Sequence, residues 1–289
     1  MNISEINIYP IKSLKGIALS ESVVEKRGLR FDRRWMLTDL GGAFITQREV
    51  PKMATVEVRV ESGELRVDSK SGGEMLVPFE PDKGHRQNVV VWRDTVAALA
   101  YNGEVSEWFS DVLGLKCQLV VMPEASERHV NKDFDTGDDI VSFADGYPLL
   151  LIGEASLEAL NDRIEENTDD RDFVRLPMNR FRPNVVVQGS EAFDEDNWAS
   201  IRIGETIFRV VKPCARCVIP TIDQDRGEFD GKEPSKTFAS FRKANQVHPK
   251  RFESFGLIPN SVLFGENLIP ENPGRSIRVG DRVEVLGRR

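Results

Sequence analysis

Apolar and polar residues alternate in short runs through much of the first hundred positions. In TVEVRV (55–60), Val56, Val58 and Val60 fall on one side and Glu57 and Arg59 on the other. That is the period-two pattern of a half-buried strand. Turn signals separate such runs: Gly41-Gly42 after RRWMLTDL, Ser62-Gly63, and Ser71-Gly72-Gly73. Alternating runs between Gly-rich turns predict an antiparallel sheet or a small barrel. The period then changes. In EVSEWFSDVL (104–113), Val105, Trp108, Phe109 and Val112 follow i, i+3, i+4, i+7, and Gly114 supplies a stop, which predicts a helix. CQLVVM (117–122) reads as a further strand. Residues 123–139 are polar and turn-rich, either a boundary or an exposed excursion.

The second half opens on YPLLLI (147–152), an unbroken apolar run that predicts a buried strand. EASLEALNDRIEE follows as a helix, with Leu157, Leu160 and Ile164 on one face. PNVVVQG (183–189) reads as a strand, and IRIGETIFRVV (201–211) as a hairpin turning at Gly204-Glu205. SIRVGDRVEVL predicts a second hairpin, turning at Gly280-Asp281. No internal repeat interrupts the pattern. The fold class is therefore mainly β with some α, an α+β chain of two barrel-like domains covering residues 1–122 and 123–289.

Composition narrows the partners. The chain has 289 residues, 40% hydrophobic and 30% charged, which suits two globular domains. A net charge of −8 argues against nucleic-acid or membrane-surface binding, which call for a basic face. An anionic ligand must then be held by a local cluster of cations. No signal-peptide-like apolar region opens the sequence, and no run approaches the length of a membrane span. Three cysteines form no disulfide framework and point to a reducing, cytoplasmic compartment.

Two of those cysteines, Cys214 and Cys217, lie in KPCARCVIPTIDQDRGE (212–228). A thioredoxin-like dithiol opens a helix, whereas Val218-Ile219-Pro220-Thr221-Ile222 is poor helix material. In an extended segment residues three apart point to opposite faces, which predicts that one cysteine faces a site and the other packs. An all-cysteine iron–sulfur cluster needs four thiolates, one more than the chain has. The histidines, His85, His129 and His248, stand isolated, with no zinc-ligand spacing. A single thiolate beside Lys212 and Arg216 has a lowered pKa and can bind a soft metal brought by a cofactor. Two small buried hydrophobes remain the simplest reading of local composition alone.

Five segments in order, YPIKSLKG (9–16), GLRFDRRWMLTD (28–39), NRFRPNVVV (179–187), KPCARCVIPTIDQDRGE (212–228) and FGENLIPENPGRSIRVGD (264–281), resemble the MOSC family. The likeness is to members with an added MOSC N-terminal barrel, among them amidoxime-reducing components and bacterial reductases of N-hydroxylated bases. It spans essentially the whole chain. The resemblance implies a molybdenum ion held by a pyranopterin, with the second cysteine of the C-x-R-C motif, here Cys217, as the protein's metal ligand. It places Lys12, Ser13, Arg33, Arg182, Asn184 and Arg216 against the cofactor, where arginine forks suit phosphate and pterin oxygens. Because Lys12 and Arg33 come from the first half and Cys217 from the second, the site is expected between the domains.

Four residues depart from the pattern. Ala215 stands where amidoxime reducers carry Ser, Gly146-Tyr147 replaces a small hydroxylated pair, and Asn267 replaces a Tyr found in some relatives. All four remain candidate cofactor contacts. Asp223 matches an acid that follows the metal cysteine, and is either a catalytic acid or a turn former. The implied reaction is a two-electron reduction of a small N-hydroxylated substrate, an amidoxime or a hydroxylaminopurine-type base. With no iron–sulfur cluster of its own, the chain would draw electrons from a ferredoxin- or cytochrome b5-like protein or a flavin reductase. The alternative is a non-catalytic carrier of molybdenum cofactor or of cysteine-bound sulfur.

Overall fold

The computed structural model describes residues 1–101, 103–168 and 173–289. Its largest sheet has eight strands, in the order Ile17–Leu19, Asn2–Ile8, Val185–Gln188, Leu149–Gly153, Leu263–Pro270, Thr206–Ala215, Trp198–Ile203 and Val283–Arg288. Neighbours are antiparallel except Leu149–Gly153 and Val185–Gln188, a parallel pair joined through the helix Glu154–Asn167. A parallel pair needs such a crossover, because a tight turn cannot reverse the chain twice. The helix buries Leu157, Leu160 and Ile164, as their spacing predicts.

The strand Asn2–Ile8 closes this sheet on itself. One edge pairs with Val185–Gln188 and the later part of the other with Ile17–Leu19. The start of that second edge meets the last strand: Asn2 bridges Arg282, Val283 N donates to Met1 O at 2.9 Å, and Ile3 N donates to Asp281 O at 2.9 Å. The first residues of the chain are thus a stave of the barrel that the second half builds. Ile3, Leu151, Val187, Trp198, Phe208, Leu268 and Val283 meet in one buried core, each from a different strand of the sheet.

The same closure explains why SIRVGDRVEVL is not a hairpin. The chain does turn at 279–280, but Ser276–Arg278 pairs with Glu21–Glu25 while Val283–Arg288 pairs with Trp198–Ile203. Backbone groups that a hairpin would use are taken by the N-terminus, with Gly280 N donating to Ile3 O at 2.8 Å. The other predicted hairpin is present, closing with Ile203 opposite Thr206.

The first half supplies a four-stranded sheet, Trp35–Thr38, Gln118–Val121, Asp94–Ala100 and His85–Val91, and a meander of Glu57–Val60, Glu64–Ser69 and Gly73–Pro78. The predicted helix is Glu104–Leu113; it buries Phe109 and Val112 and ends at Gly114, whose φ of 74° closes its last turn. Strands dominate and helices are few, so the fold is mainly β. No helix among the described residues is long and apolar enough to cross a membrane.

One close approach fixes the middle of the barrel. Gly265 has φ of 79°, and a Cβ there would sit 2.7 Å from Leu151 O and 2.7 Å from the Ile152 side chain. Next to it the register between Thr206–Ala215 and Leu263–Pro270 shifts between Pro213 and Ala215, which bends the strand carrying Cys214. Gly265→Ala is expected to cost about 2–4 kcal/mol through the forbidden backbone conformation and the clash. Chemical denaturation measures it, and an unchanged midpoint would contradict this packing.

Candidate functional site

A cleft of about 450 Å³ opens where the barrel meets the N-terminal sheets. Six cations line it, Lys12, Arg33, Arg48, Arg182, Lys212 and Arg216, against one carboxylate, Asp145. In a chain of net charge −8 this is a strongly biased surface, and low-dielectric walls strengthen its field. Of the residues singled out from sequence, Lys12, Ser13, Arg33, Gly146, Tyr147, Arg182, Asn184, Ala215, Arg216, Cys217 and Asn267 all line it.

The backbone is strained to make this convergence. Six non-glycine residues among those described have φ between 50° and 70°, and four of them, Ser13, Arg33, Trp92 and Arg182, line the cleft. Such conformations cost energy and survive where the surroundings enforce them. At Arg33 the enforcement is visible. Its backbone N–H donates to Tyr9 O at 2.9 Å, and its carbonyl accepts from Phe143 N at 3.0 Å. Its guanidinium pairs with the fully buried Asp32 and donates to Asn184 Oδ1 at 3.2 Å. Asp32 also accepts the backbone N–H of Tyr9 at 2.8 Å.

Two of the like charges share the ring of Tyr9. Arg33 and Arg182 stack on its ring, 4.6 and 4.2 Å from the centroid, and its hydroxyl donates to Pro183 O at 3.0 Å. Burial raises the Tyr9 phenol to about 12 even though both guanidinium groups oppose that shift. Asn184 ties the halves together: Nδ2 donates to Asn7 O, and Oδ1 accepts from both Leu150 N and Arg33. Burial lowers Arg182 to about 10, Arg33 lowers it further, and Tyr9 and Asp32 oppose both. Lys12, also buried, is lowered to about 8, with Asp145 opposing the shift and Arg33 adding to it.

The cysteines depart from the expected opposite faces. Both line the cleft. The strand ends at Ala215, and Val218 takes helical angles (φ −72°, ψ −17°) into the short helix Ile219–Thr221, so strict alternation stops between the two thiols. Cys214 is half-buried, and Arg216 Nη1 lies 3.2 Å from its sulfur. Burial raises the Cys214 thiol, with Arg216 working against it. Cys217 is exposed.

Asp223 lies outside the cleft lining. Its Oδ1 accepts the backbone N–H groups of Asp225 and Arg226, both at 2.9 Å, and Oδ2 faces Arg180 at 3.4 Å. Partial burial works to raise its pKa, but those N–H groups and Arg180 hold it below the usual carboxylate range. In this position it shapes the turn between Ile222–Asp223 and Glu228–Phe229.

Sequence reading missed Tyr9, Arg48, Trp92 and Asp145 as site residues. Asp145 sits one place before the matched Gly146. It pairs with Lys12 and with Arg48, and Trp92 Nε1 donates to it at 3.2 Å. Loss of hydration in the cleft works to raise its pKa, yet Lys12 and Arg48 pull it below its ordinary range. A tryptophan at a two-residue turn between alternating runs was the available signal for Trp92.

The donor set fits an anionic cofactor that brings most of its own metal ligands. No cluster of three or more His, Cys, Asp or Glu among the described residues could hold a metal ion by itself. The cations are under-paired. Arg216 Nε is buried without a hydrogen-bond partner. Arg182 donates to the neutral acceptors Leu14 O (2.7 Å) and Gln224 Oε1 (3.3 Å).

Comparison with known proteins finds two matching family models. The MOSC N-terminal beta barrel domain matches residues 1–116, and the MOSC domain matches residues 138–284. The chain is 32% identical over 299 residues to the mouse mitochondrial amidoxime-reducing component 1, covering 99% of this chain and 82% of that protein. It is 30% identical to the human protein of the same name, over 99% of this chain and 83% of that one. It is also 32% identical to a rice molybdenum cofactor sulfurase, over 98% of this chain but 35% of that protein.

The lowered Lys12 pKa has a measurable sign. Between about pH 8 and its ordinary value of 10.5, the unfolded chain holds a proton that the folded one has shed. Lys12 therefore costs stability below about pH 8, and stability rises with pH through that window. Lys12→Met should flatten this part of the Tm-against-pH curve in ligand-free protein. Parallel curves for the two proteins would count against the assignment.

Proposed function

The chain belongs to the MOSC family, and on that premise we propose that it is a molybdenum-cofactor reductase of N-hydroxylated compounds, amidoximes and hydroxylaminopurine-type bases. A separate electron donor, ferredoxin-like, cytochrome b5-like or a flavin reductase, supplies the electrons. One observation carries the reading: an exposed thiol, Cys217, opens into a cleft lined by six cations. A thiolate there is a soft metal ligand, and the cations are what an anionic pterin phosphate requires.

Each residue then has a physical task. Arg33 and Arg182, both stacked on Tyr9, and Lys12, held by Asp145, bind the anionic part of the cofactor. Arg216, with its Nε unmatched, fixes oxygens near the thiol. Asn184, Ser13 and the 146–147 segment complete the wall, with Ala215 offering backbone in place of a hydroxyl. Asn267 donates to Lys212 O at 3.0 Å and holds the strand that carries Cys214 and leads to Cys217. When bound, the cofactor supplies two-electron redox chemistry. The overall change is N–OH plus two electrons and two protons to N–H plus water.

A second reading rests on the exposure of Cys217 together with the sulfurase likeness: a carrier of cofactor or of cysteine-bound sulfur, without turnover.

Purification from cells that make the cofactor separates the two. Metal analysis, pterin fluorescence and a dye-driven benzamidoxime or hydroxylaminopurine assay should find stoichiometric molybdenum, pterin and turnover. Cys217→Ala should lose molybdenum and activity, while Cys214→Ala keeps the metal. Folded protein without molybdenum would end the reductase reading, and labile sulfur on Cys217 without turnover would establish the carrier.

A further inference from the structure

Trp92 occupies a position that folding alone does not explain. It is the first residue of the two-residue turn between His85–Val91 and Asp94–Ala100, with Val91 opposite Asp94. Its φ is 58°, in the region that turns ordinarily fill with Gly or Asn. A bulky aromatic there is strained, and strain of this kind is compensated when the side chain packs into a core. Trp92 does not. Trp35 and Trp198 are buried, whereas Trp92 is 48% exposed and lines the cleft.

The ring is nonetheless held in one orientation. Its Nε1 donates to Asp145 Oδ1 at 3.2 Å, Arg48 stacks on it with Cζ 4.8 Å from the centroid, and Phe44 lies 5.1 Å away, tilted by 57°. Phe44 is itself placed by the strand that leads into Trp92, donating its N–H to Val90 O. Arg48 reaches Asp145 at 3.4 Å and lines the same cleft as Cys217. An exposed aromatic fixed in advance by a hydrogen bond and a cation is pre-organised for a ligand, since little freedom is lost when it is covered.

We propose that Trp92, steered by Arg48 and Asp145, is the specificity-determining wall of the cleft, stacking planar conjugated N-hydroxylated substrates such as aryl amidoximes and N-hydroxylated purines. The inference rests on the reductase reading and adds to it a selection for π-faced over aliphatic substrates. The N-terminal half then supplies substrate recognition while the barrel supplies the thiol. Arg48, spanning Trp92 and Cys217, sets the direction in which a stacked substrate presents its N–OH group.

The test uses the cofactor-loaded protein with a dye reductant and two substrates, benzamidoxime and acetamidoxime. Trp92→Ala should raise KM for benzamidoxime about tenfold more than for acetamidoxime, the scale of one aromatic stacking contact. Its effect on kcat should be smaller than its effect on KM. Trp92→Phe should recover most of the preference. Trp92→Asn, which suits the turn, should lose the preference while melting no lower than the parent, so misfolding is separated from lost recognition. Equal KM changes for the two substrates would overturn the proposal. Calorimetric titration with benzamidine and acetamidine provides a readout independent of turnover. If no variant turns over either substrate, the reductase reading fails by itself, and stacking is still judged by whether benzamidine binds tighter than acetamidine in the parent and equally in Trp92→Ala.

Discussion

Holding six cations around one cleft is the constraint that the surrounding structure serves. Like charges brought together in a low-dielectric wall repel, and each loses hydration. The chain answers with few carboxylates and many neutral groups. Asp32 and Asp145 each serve more than one partner: Asp32 binds Arg33 and the Tyr9 backbone, and Asp145 binds Lys12, Arg48 and Trp92. Carbonyls of Leu14, Phe143 and Phe181 take further donors from Arg182, Lys12 and Arg216. The positive charge is positioned but not neutralised. Had each cation been given its own carboxylate, the cleft would be more stable and would have no reason to bind an anion.

The barrel closure is what makes such crowding possible. Because Asn2–Ile8 is a stave between Val185–Gln188 and the 281–283 segment, the residues that follow it, Tyr9, Lys12 and Ser13, emerge beside Arg182 and Asn184. Residues some 170 positions apart are thereby fixed by sheet register, with Asn184 bonded to the backbone of Asn7 at 3.1 Å. The second cysteine reaches the same cleft because its strand stops at Ala215 and the chain coils at once into Ile219–Thr221. A site built on ladder register holds its geometry better than one built on loops.

The parts legible in sequence were those written in local periodicity or in a contiguous motif. The helix at 104–113 and the hairpin at Gly204-Glu205 follow from spacing within a dozen residues. The cleft residues were named because whole segments resembled a family, since an isolated Lys12 or Asn184 carries no signal. The failures share one cause, a partner far away in sequence. SIRVGDRVEVL has every local mark of a hairpin, but the chain's own N-terminus competes for its backbone. The two thiols follow strand alternation only if the strand continues, and tertiary bending ended it. Tyr9, Arg48 and Asp145 acquire roles only through contacts with distant segments, as in the Tyr9 stack with Arg182.

Backbone strain gives an independent measure of where the fold gives up stability for position. Each left-handed non-glycine residue costs roughly 1–3 kcal/mol, and Asn or Gly would relieve most of that. Ser13, Arg33, Trp92 and Arg182 all incur it, and all face one cleft. At Ser13, Arg33 and Arg182 the cost goes with turning charged or polar groups toward a common point. At Trp92 no charge is turned inward, and the exposed indole gains little burial in return. A cost of this kind without a folding benefit is what separates a recognition surface from a packing accident, and it is the reason to seek the substrate against that ring.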